Sequence, residues 1–461
     1  MPIALPSGTT AAGASIALEV SRGAPARRRV AFAGDVPFGA GGLVARRYRL
    51  HNGLTILLLP DHAAPVVSYQ TWYAVGSRHE REGKTGLAHL FEHLMFNETE
   101  SLPAGEFDRL MEGAGGETNA ATWVDWTFYY ENVPASEIAT AIRLESDRMA
   151  NLVLREKQLE SEREVVANER RFRVDDDVEG SVGELLYATA FDQHPYRWPT
   201  IGWMKDILGF TTSDCRAFYR TYYAPNNATV VAVGDFEEAD LLRLMVDAYC
   251  EYPRRKIPPH AESPEPTQLK ERRLEVRKPT PTPKIDVGYR SAALGTADHA
   301  ALTVISEILF GGRSARLQRA LVTDGEMAAE VRGSVAPFRD PGLFEIWVSL
   351  REGQSIRRAE RVLDRELGKL SRNLVPIAEL EKARARIELG FLQGLETVSG
   401  KAEQLGFHEV TLGDASRAFE RLERIRVLTP DDLRDVARRY LTPERRTVIR
   451  VLPVDASTGA S

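Results

Sequence analysis

Cysteine is almost missing from this chain: two in 461 residues, Cys215 and Cys250. Two thiols cannot build the disulfide framework of a small secreted scaffold, and both read as reduced packing residues. Long apolar runs are missing as well. The longest mainly apolar stretch, Leu54 to Leu59, is far short of the ~20 residues a helix needs to span a bilayer. Nor is there a surplus of positive charge. With 60 Lys+Arg against 66 Asp+Glu, the formal net charge of −6 gives no footprint for nucleic acid or an anionic membrane surface. Histidine is scarce at nine, so any cluster of histidines is informative. What is present, 43% hydrophobic and 27% charged residues, is the composition of a globular protein long enough for two cores.

Residues 1–42 are rich in Ala, Gly, Pro and Ser and lack clear periodicity. A secretory signal begins with positive charge followed by an apolar block. Here Arg27, Arg28 and Arg29 arrive after a glycine-broken start. The segment reads as a flexible tail and the chain as cytoplasmic, with an atypical export signal as the alternative. Residues 454–461 read as a second tail.

The chain is written twice. Thr211-Thr212-Ser213-Asp214 through Tyr223-Ala224-Pro225 parallels Thr429-Pro430-Asp431-Asp432 through Leu441-Thr442-Pro443, at an offset of 218 residues (225 to 443). Each copy reads as a capped helix, a turn ending in proline, and a strand, Thr229–Val233 and Thr447–Leu452. Between the copies, Pro253 to Gln268 has linker composition, with five prolines among charged residues. The domains therefore run over 43–252 and 269–453. Strands at Gly53–Leu59 and Val66–Val75, a helix at Ala104–Glu112 and a long strand region at Glu117–Glu131 give an α+β class. The expected architecture is two duplicated domains, each a mainly antiparallel sheet with helices packed on one face.

The run Leu87-Ala88-His89-Leu90-Phe91-Glu92-His93-Leu94-Met95 has helical periodicity. His89 and His93 stand one turn apart on one face, and Glu92, three residues after His89, leans the same way. Two neutral nitrogen ligands and a carboxylate base are what a zinc hydrolase requires. His-x-x-Glu-His is the inverted form of the zinc-protease motif. Sliding the second copy under the first puts Thr303, Ser306 and Glu307 opposite His89, Glu92 and His93. The helix is thus expected in both halves and the ligand set in one, giving one Zn2+ per chain.

Zinc needs a third protein ligand. The helix expected over Glu156–Arg173 carries Glu160 and Glu164, read as solvated, and Glu162 and Glu169, seven residues apart with Val165 and Val166 between them and Phe172 beyond. Carboxylates on an apolar stripe need partners. One would be the ligand and the other its support, and spacing does not say which. His194, in His194-Pro195-Tyr196, is the rival ligand.

These motifs resemble the pitrilysin family of metallopeptidases, which includes insulin-degrading enzyme and mitochondrial processing peptidase. The likeness extends over nearly the whole chain after residue 43, through Asn52-Gly53-Leu54, Gly76-Ser77-Arg78, Gly115-Gly116 with Asn119-Ala120, Asp147-Arg148-Met149 and Tyr223-Ala224-Pro225-Asn226-Asn227. The resemblance implies that His89, His93 and Glu169 hold zinc, that Glu92 is the general base and that Glu162 supports the site. It implies a peptide substrate added as a strand along the segment around Asn119 and Ala120. Short members work as two-chain assemblies enclosing a chamber. In active members an Arg and a Tyr contact the scissile carbonyl, and the corresponding positions here are Val322 or Thr323 and Ala329. The resemblance therefore implies a heterodimer with a related subunit carrying the Arg/Tyr pair. The alternatives are a homodimer in which Arg313 or Arg316 substitutes, or a non-catalytic structural subunit.

Overall fold

The computed structural model describes residues 9–39, 42–259 and 264–454. The end of the C-terminal tail, the first eight residues and the middle of the Pro-rich linker lie outside the described residues. The chain forms two compact units: one of residues 1–167, 200–261 and 393–419, the other of residues 168–199, 262–392 and 420–461.

The first unit begins with helix α1 (Thr9–Val20) and strand β1 (Val30–Phe38). The flexible tail expected over 1–42 is thus corrected over residues 9–38. β1 pairs antiparallel with β2 (Leu43–Leu50), Ala17 of α1 is buried, and Val36 and Phe38 point into the unit. A register shift between Phe32 and Gly34 breaks the alternation, which hides the strand from a period-two reading. Next come β3 (Thr55–Pro60), β4 (Val66–Tyr73), α2 (Leu87–Leu94) and α3 (Glu106–Gly113). The region expected as one strand at Glu117–Glu131 is a hairpin, β5 (Glu117–Thr122) and β6 (Thr127–Pro134). It turns where the Trp123 N–H donates to the Trp126 carbonyl. Then follow α4 (Ile138–Asn151), α5 (Glu156–Arg170) and, after the excursion through the other unit, β7 (Ala228–Gly234).

The seven strands lie in the order β1-β2-β3-β7-β4-β6-β5, antiparallel except for β3 beside β7. Alternation sorts β4 into two faces. Val67, Tyr69 and Tyr73 enter the main core with residues of α2, α4 and α5. Gln70 and Trp72 face the helix Val398–Leu412, where Gln70 donates to the Ser399 carbonyl and a Cβ at Gly406 would collide with the Trp72 ring.

The second unit contains α6 (Val178–Ala190) and a five-stranded sheet of β8 (Arg272–Lys278), β9 (Lys284–Arg290), β10 (Ala328–Val335), β11 (Leu343–Leu350) and β12 (Arg446–Pro453). The order is β10-β11-β9-β12-β8, with β8 and β12 the one parallel pair. Each sheet thus carries a single parallel pair, ending in β7 or β12, the two strands of the sequence repeat. The repeat is also kept in its caps. Thr211 and Thr429 each accept the N–H of the residue three on, Asp214 and Asp432, whose carboxylates accept back from the cap. Both cysteines are buried free thiols.

Candidate metal centre

Helix α2 is fixed at both ends before any ligand is considered. It begins at Gly86, whose φ of 97° lies in the left-handed region and whose missing Cβ leaves room for the Ile201 carbonyl. The Glu80 carboxylate accepts the N–H groups of Gly86 and Ala88, both at 2.7 Å, which serves donors that a helix start leaves open. Burial nevertheless pushes the Glu80 carboxyl well above its ordinary range. Asp206 accepts from the Thr85 N–H and hydroxyl just ahead of the helix. At the far end the Tyr129 hydroxyl donates to the Phe91 carbonyl at 3.0 Å. Leu87, Leu90, Phe91, Leu94 and Met95 are buried, as the periodicity requires.

That packing leaves His89, Glu92 and His93 on the remaining face. The two imidazoles lie with centroids 5.0 Å apart. Glu92 is half-buried. It adds to burial in raising the phenols of Tyr129 and Tyr223 above their usual range.

α5 supplies the carboxylates, with one correction to the expected stripe. Leu159, Val166 and Ala167 are the buried side of this helix, whereas Val165 is 46% and Phe172 79% exposed. Leu159 and Val166 are seven residues apart. Glu162 and Glu169 each follow by three, so they border the buried stripe rather than sit on it. Glu162 is 3.8 Å from His93 Nδ1 and accepts from Asn97 Nδ2 at 2.9 Å. Glu169, in the last turn, has an oxygen 3.1 Å from Arg173 Nε. One nitrogen each from His89 and His93 and one Glu169 oxygen all lie within 4.8 Å of one another. Two imidazoles and a carboxylate so placed fit zinc, leaving its fourth position for water.

Among the described residues no other His, Cys, Asp and Glu group closes in this way. His194 does not join it: its Nε2 is 3.0 Å from Asp340 and its Nδ1 accepts from the Tyr196 N–H. In the second unit, Thr303 bonds the His299 carbonyl, Ser306 the Gly333 carbonyl, and Glu307 pairs with Arg386. Those positions are committed to structure.

Asn119 and Ala120 lie on β5, an outer strand of the seven-stranded sheet beside α2. Asn119 is exposed, and its Oδ1 accepts from the Ala120 N–H at 2.8 Å. Val322 and Thr323 end a wide helical turn, Gln318–Thr323, and Ala329 is exposed on β10. Arg316 is clamped by Glu379 through two contacts, so it is no spare donor. Arg313 is exposed. Sequence reasoning missed Glu80, Tyr129 and Asn97. Glu80 stands six residues before the glycine it serves, outside any capping-box spacing.

A duplicated α+β chain with one His-His-Glu cluster beside a helix-borne glutamate defines a class of metallopeptidase architecture. Known proteins place it further. Residues 55–202 match the model of Insulinase (Peptidase family M16), and residues 209–387 that of the Peptidase M16 inactive domain. The chain is 30% identical over 408 residues to the zinc protease PqqE of Helicobacter pylori, covering 88% of this chain and 92% of that one. It is 24% identical over 415 residues to the mitochondrial-processing peptidase subunit beta of Blastocladiella emersonii, covering 88% of each. A crystal structure of a protease from Helicobacter pylori superposes with a TM-score of 0.86 at 30% identity, over 89% of this chain and 99% of that one. The chain belongs to peptidase family M16, the pitrilysin or insulinase family. Among the described residues no helix is long and apolar enough to cross a membrane.

Proposed function

We propose that this chain is a zinc-dependent endopeptidase acting on unfolded peptides, and the metal-bearing subunit of a two-chain assembly. The observation that carries the reading is the approach of His89, His93 and Glu169 to within 4.8 Å, with Glu92 on the same helix as the two histidines. The names of the relatives, zinc proteases, agree with it.

His89, His93 and Glu169 would hold the ion, which when bound supplies Lewis acidity and makes a water acidic near neutral pH. The protein's own groups do the rest. Glu92 takes a proton from the attacking water at its carboxylate and returns it to the amine nitrogen that leaves. Glu162, between His93 and Asn97, acts as a positioning residue that holds the His93 ring. The outer edge of β5 at Asn119 and Ala120 accepts the substrate as an added strand through main-chain hydrogen bonds, which reads peptide shape rather than sequence.

Val322 and Ala329 carry no side-chain hydrogen-bond donor and Thr323 only a neutral hydroxyl in place of a guanidinium, so a related subunit with Arg and Tyr completes the site. A homodimer is the second reading; of its two arginines Arg313 alone is left unclamped. A purely structural subunit would have no use for Glu92 beside a ligand set. Cytoplasmic placement remains our reading of the N-terminal composition. The deciding experiment is a fluorogenic-peptide assay of the purified chain with zinc, alone and with its candidate partner. No cleavage in either case, at full zinc occupancy, overturns the enzyme reading.

A further inference from the structure

Helix α6 lies over one face of the five-stranded sheet. The packing is close at Gly288 of β9, where a Cβ would meet Leu186 of the helix at 3.2–3.3 Å. Toward the start of the helix a cavity of about 320 Å³ opens instead, at the low end of small-molecule sites. Its walls are α6 at Glu179 and Gly183, and the sheet at Asp286, Arg332, Glu345 and Trp347. The sheet residues share one face by register: Asp286 lies opposite Trp347, and Trp347 opposite Arg332.

Gly183 is what keeps this space open. A Cβ there would have no atom within 4 Å, although glycine weakens a helix interior. Gly180, by contrast, is required, because its Cβ would strike the Arg173 carbonyl.

Three acids and one arginine line the cavity. Arg332 is committed to Glu179 and Glu330, and lies over the Trp347 ring at 5.3 Å. Glu345 accepts the Tyr187 hydroxyl, one bond for a carboxylate with two oxygens. Asp286 has neither a hydrogen bond nor an ion pair among the described residues; only the Val287 N–H and Arg332 lend its charge electrostatic support. It is 4% exposed, its oxygens are not among the fully covered polar atoms, and the surface it keeps faces the cavity. Burial, then Glu345, push the Asp286 carboxyl well above its ordinary range, and burial raises Glu345 as well. Two acids so placed need a cation between them before both can ionise.

The three acids do not close into a metal-ligand group. Two carboxylate acceptors beside an indole ring suit N–H donors on an apolar stem. We propose that this cavity binds a primary alkylammonium group, its N–H donors shared by Asp286 and Glu345 and its alkyl stem between Trp347 and Gly183. That chemistry is carried by free di- and polyamines and by lysine side chains. The site shares no residue with the metal cluster and does not rest on the peptidase reading.

The test is calorimetric titration of the full chain with butylamine, 1,4-diaminobutane, N-acetyl-lysinamide and tetramethylammonium, with and without a zinc chelator. Saturable 1:1 binding of butylamine is expected, unchanged by chelator and about tenfold or more tighter than that of tetramethylammonium, which has no N–H. Asp286→Asn, which keeps the shape and loses the charge, should weaken binding about tenfold or more. Gly183→Leu, which fills the opening with a better helix former, should abolish it, with circular dichroism confirming the fold. 1,4-Diaminobutane binding tighter than N-acetyl-lysinamide makes free amines the source; the reverse, or equal affinity, makes it lysine side chains. No saturable binding, equal binding of tetramethylammonium, loss with chelator, or indifference to either variant would each overturn the assignment.

Discussion

The Tyr129 hydroxyl, on the strand β6, donates to the carbonyl of Phe91 in the motif helix at 3.0 Å, and lies 3.1 Å from the Tyr223 hydroxyl. The sheet thereby holds the turn between His89 and His93 from beneath. Tyr129→Phe deletes the bond and orphans part of Tyr223, and should cost about 1–2 kcal/mol of stability. Urea unfolding of both proteins measures it; an unchanged midpoint would show that the contact contributes nothing.

Purified protein should carry about one zinc per chain. His89→Ala, His93→Ala and Glu169→Gln should each sharply reduce it. Elemental analysis showing full occupancy in all three variants would refute the ligand set. Two ions per chain would refute the argument that the second repeat has lost its ligands.

Base and support should separate kinetically. Glu92→Gln keeps the size but cannot take a proton, so zinc should stay while turnover falls by roughly 10²–10⁴-fold. Glu162→Gln should cost roughly 10–100-fold in activity or metal affinity. Expulsion of zinc by the first variant and total loss of turnover in the second would reverse the two roles.

Arg148, Glu131 and Glu145 form a fully buried ion cluster, with three aromatic rings, Phe96, Phe107 and Tyr129, around the guanidinium. Arg148→Met would strand two acids and should cost about 3–5 kcal/mol. Burial, then Glu145, push the Glu131 carboxyl well above its ordinary range. Above the unfolded value the unfolded chain releases a proton that the native state keeps. Stability contributed by this group therefore falls as pH rises from the ordinary glutamate value toward the native one. Glu131→Gln should flatten that slope. A wild-type profile with no such decline, or a variant with the same decline, would contradict the upward shift of the Glu131 carboxyl.

The last prediction concerns the missing donors. On the proposal that Val322 or Thr323 and Ala329 stand at the Arg and Tyr positions, the isolated chain should bind peptide yet cleave it poorly, since losing one oxyanion donor costs about 10²–10³ in rate. A related chain supplying Arg and Tyr should restore cleavage. Full activity of the chain alone, unaffected by the partner at equal zinc, would sink the divided site.

What was legible in the sequence was local. His89, Glu92 and His93 announce themselves because one helical turn is a short-range fact, and the two Thr–Asp capping boxes because both halves repeat them. The hairpin between β5 and β6 was hidden because its turn, Trp123 to Trp126, has neither Gly nor Pro. β1 was hidden by the bulge at Gly34, which resets the alternation. Val165 and Phe172 are apolar yet exposed, because Leu159 and Val166 already fill the buried side of α5, and apolar character alone does not distinguish the two. Glu80 and Tyr129 were out of reach, since their partners are set by tertiary approach rather than by spacing.

The helix Val398–Leu412 has a consequence for synthesis. It covers the Trp72 face of the first sheet, yet it is made more than 150 residues after β7, the last strand of that sheet. At roughly 5–20 residues per second, the ribosome leaves that face bare for about 8–35 s. The unit that carries His89 and His93 is therefore a late product of its own chain. A gene cut at the linker would yield a first half with an open aromatic sheet face, a substrate for chaperones rather than an independent domain.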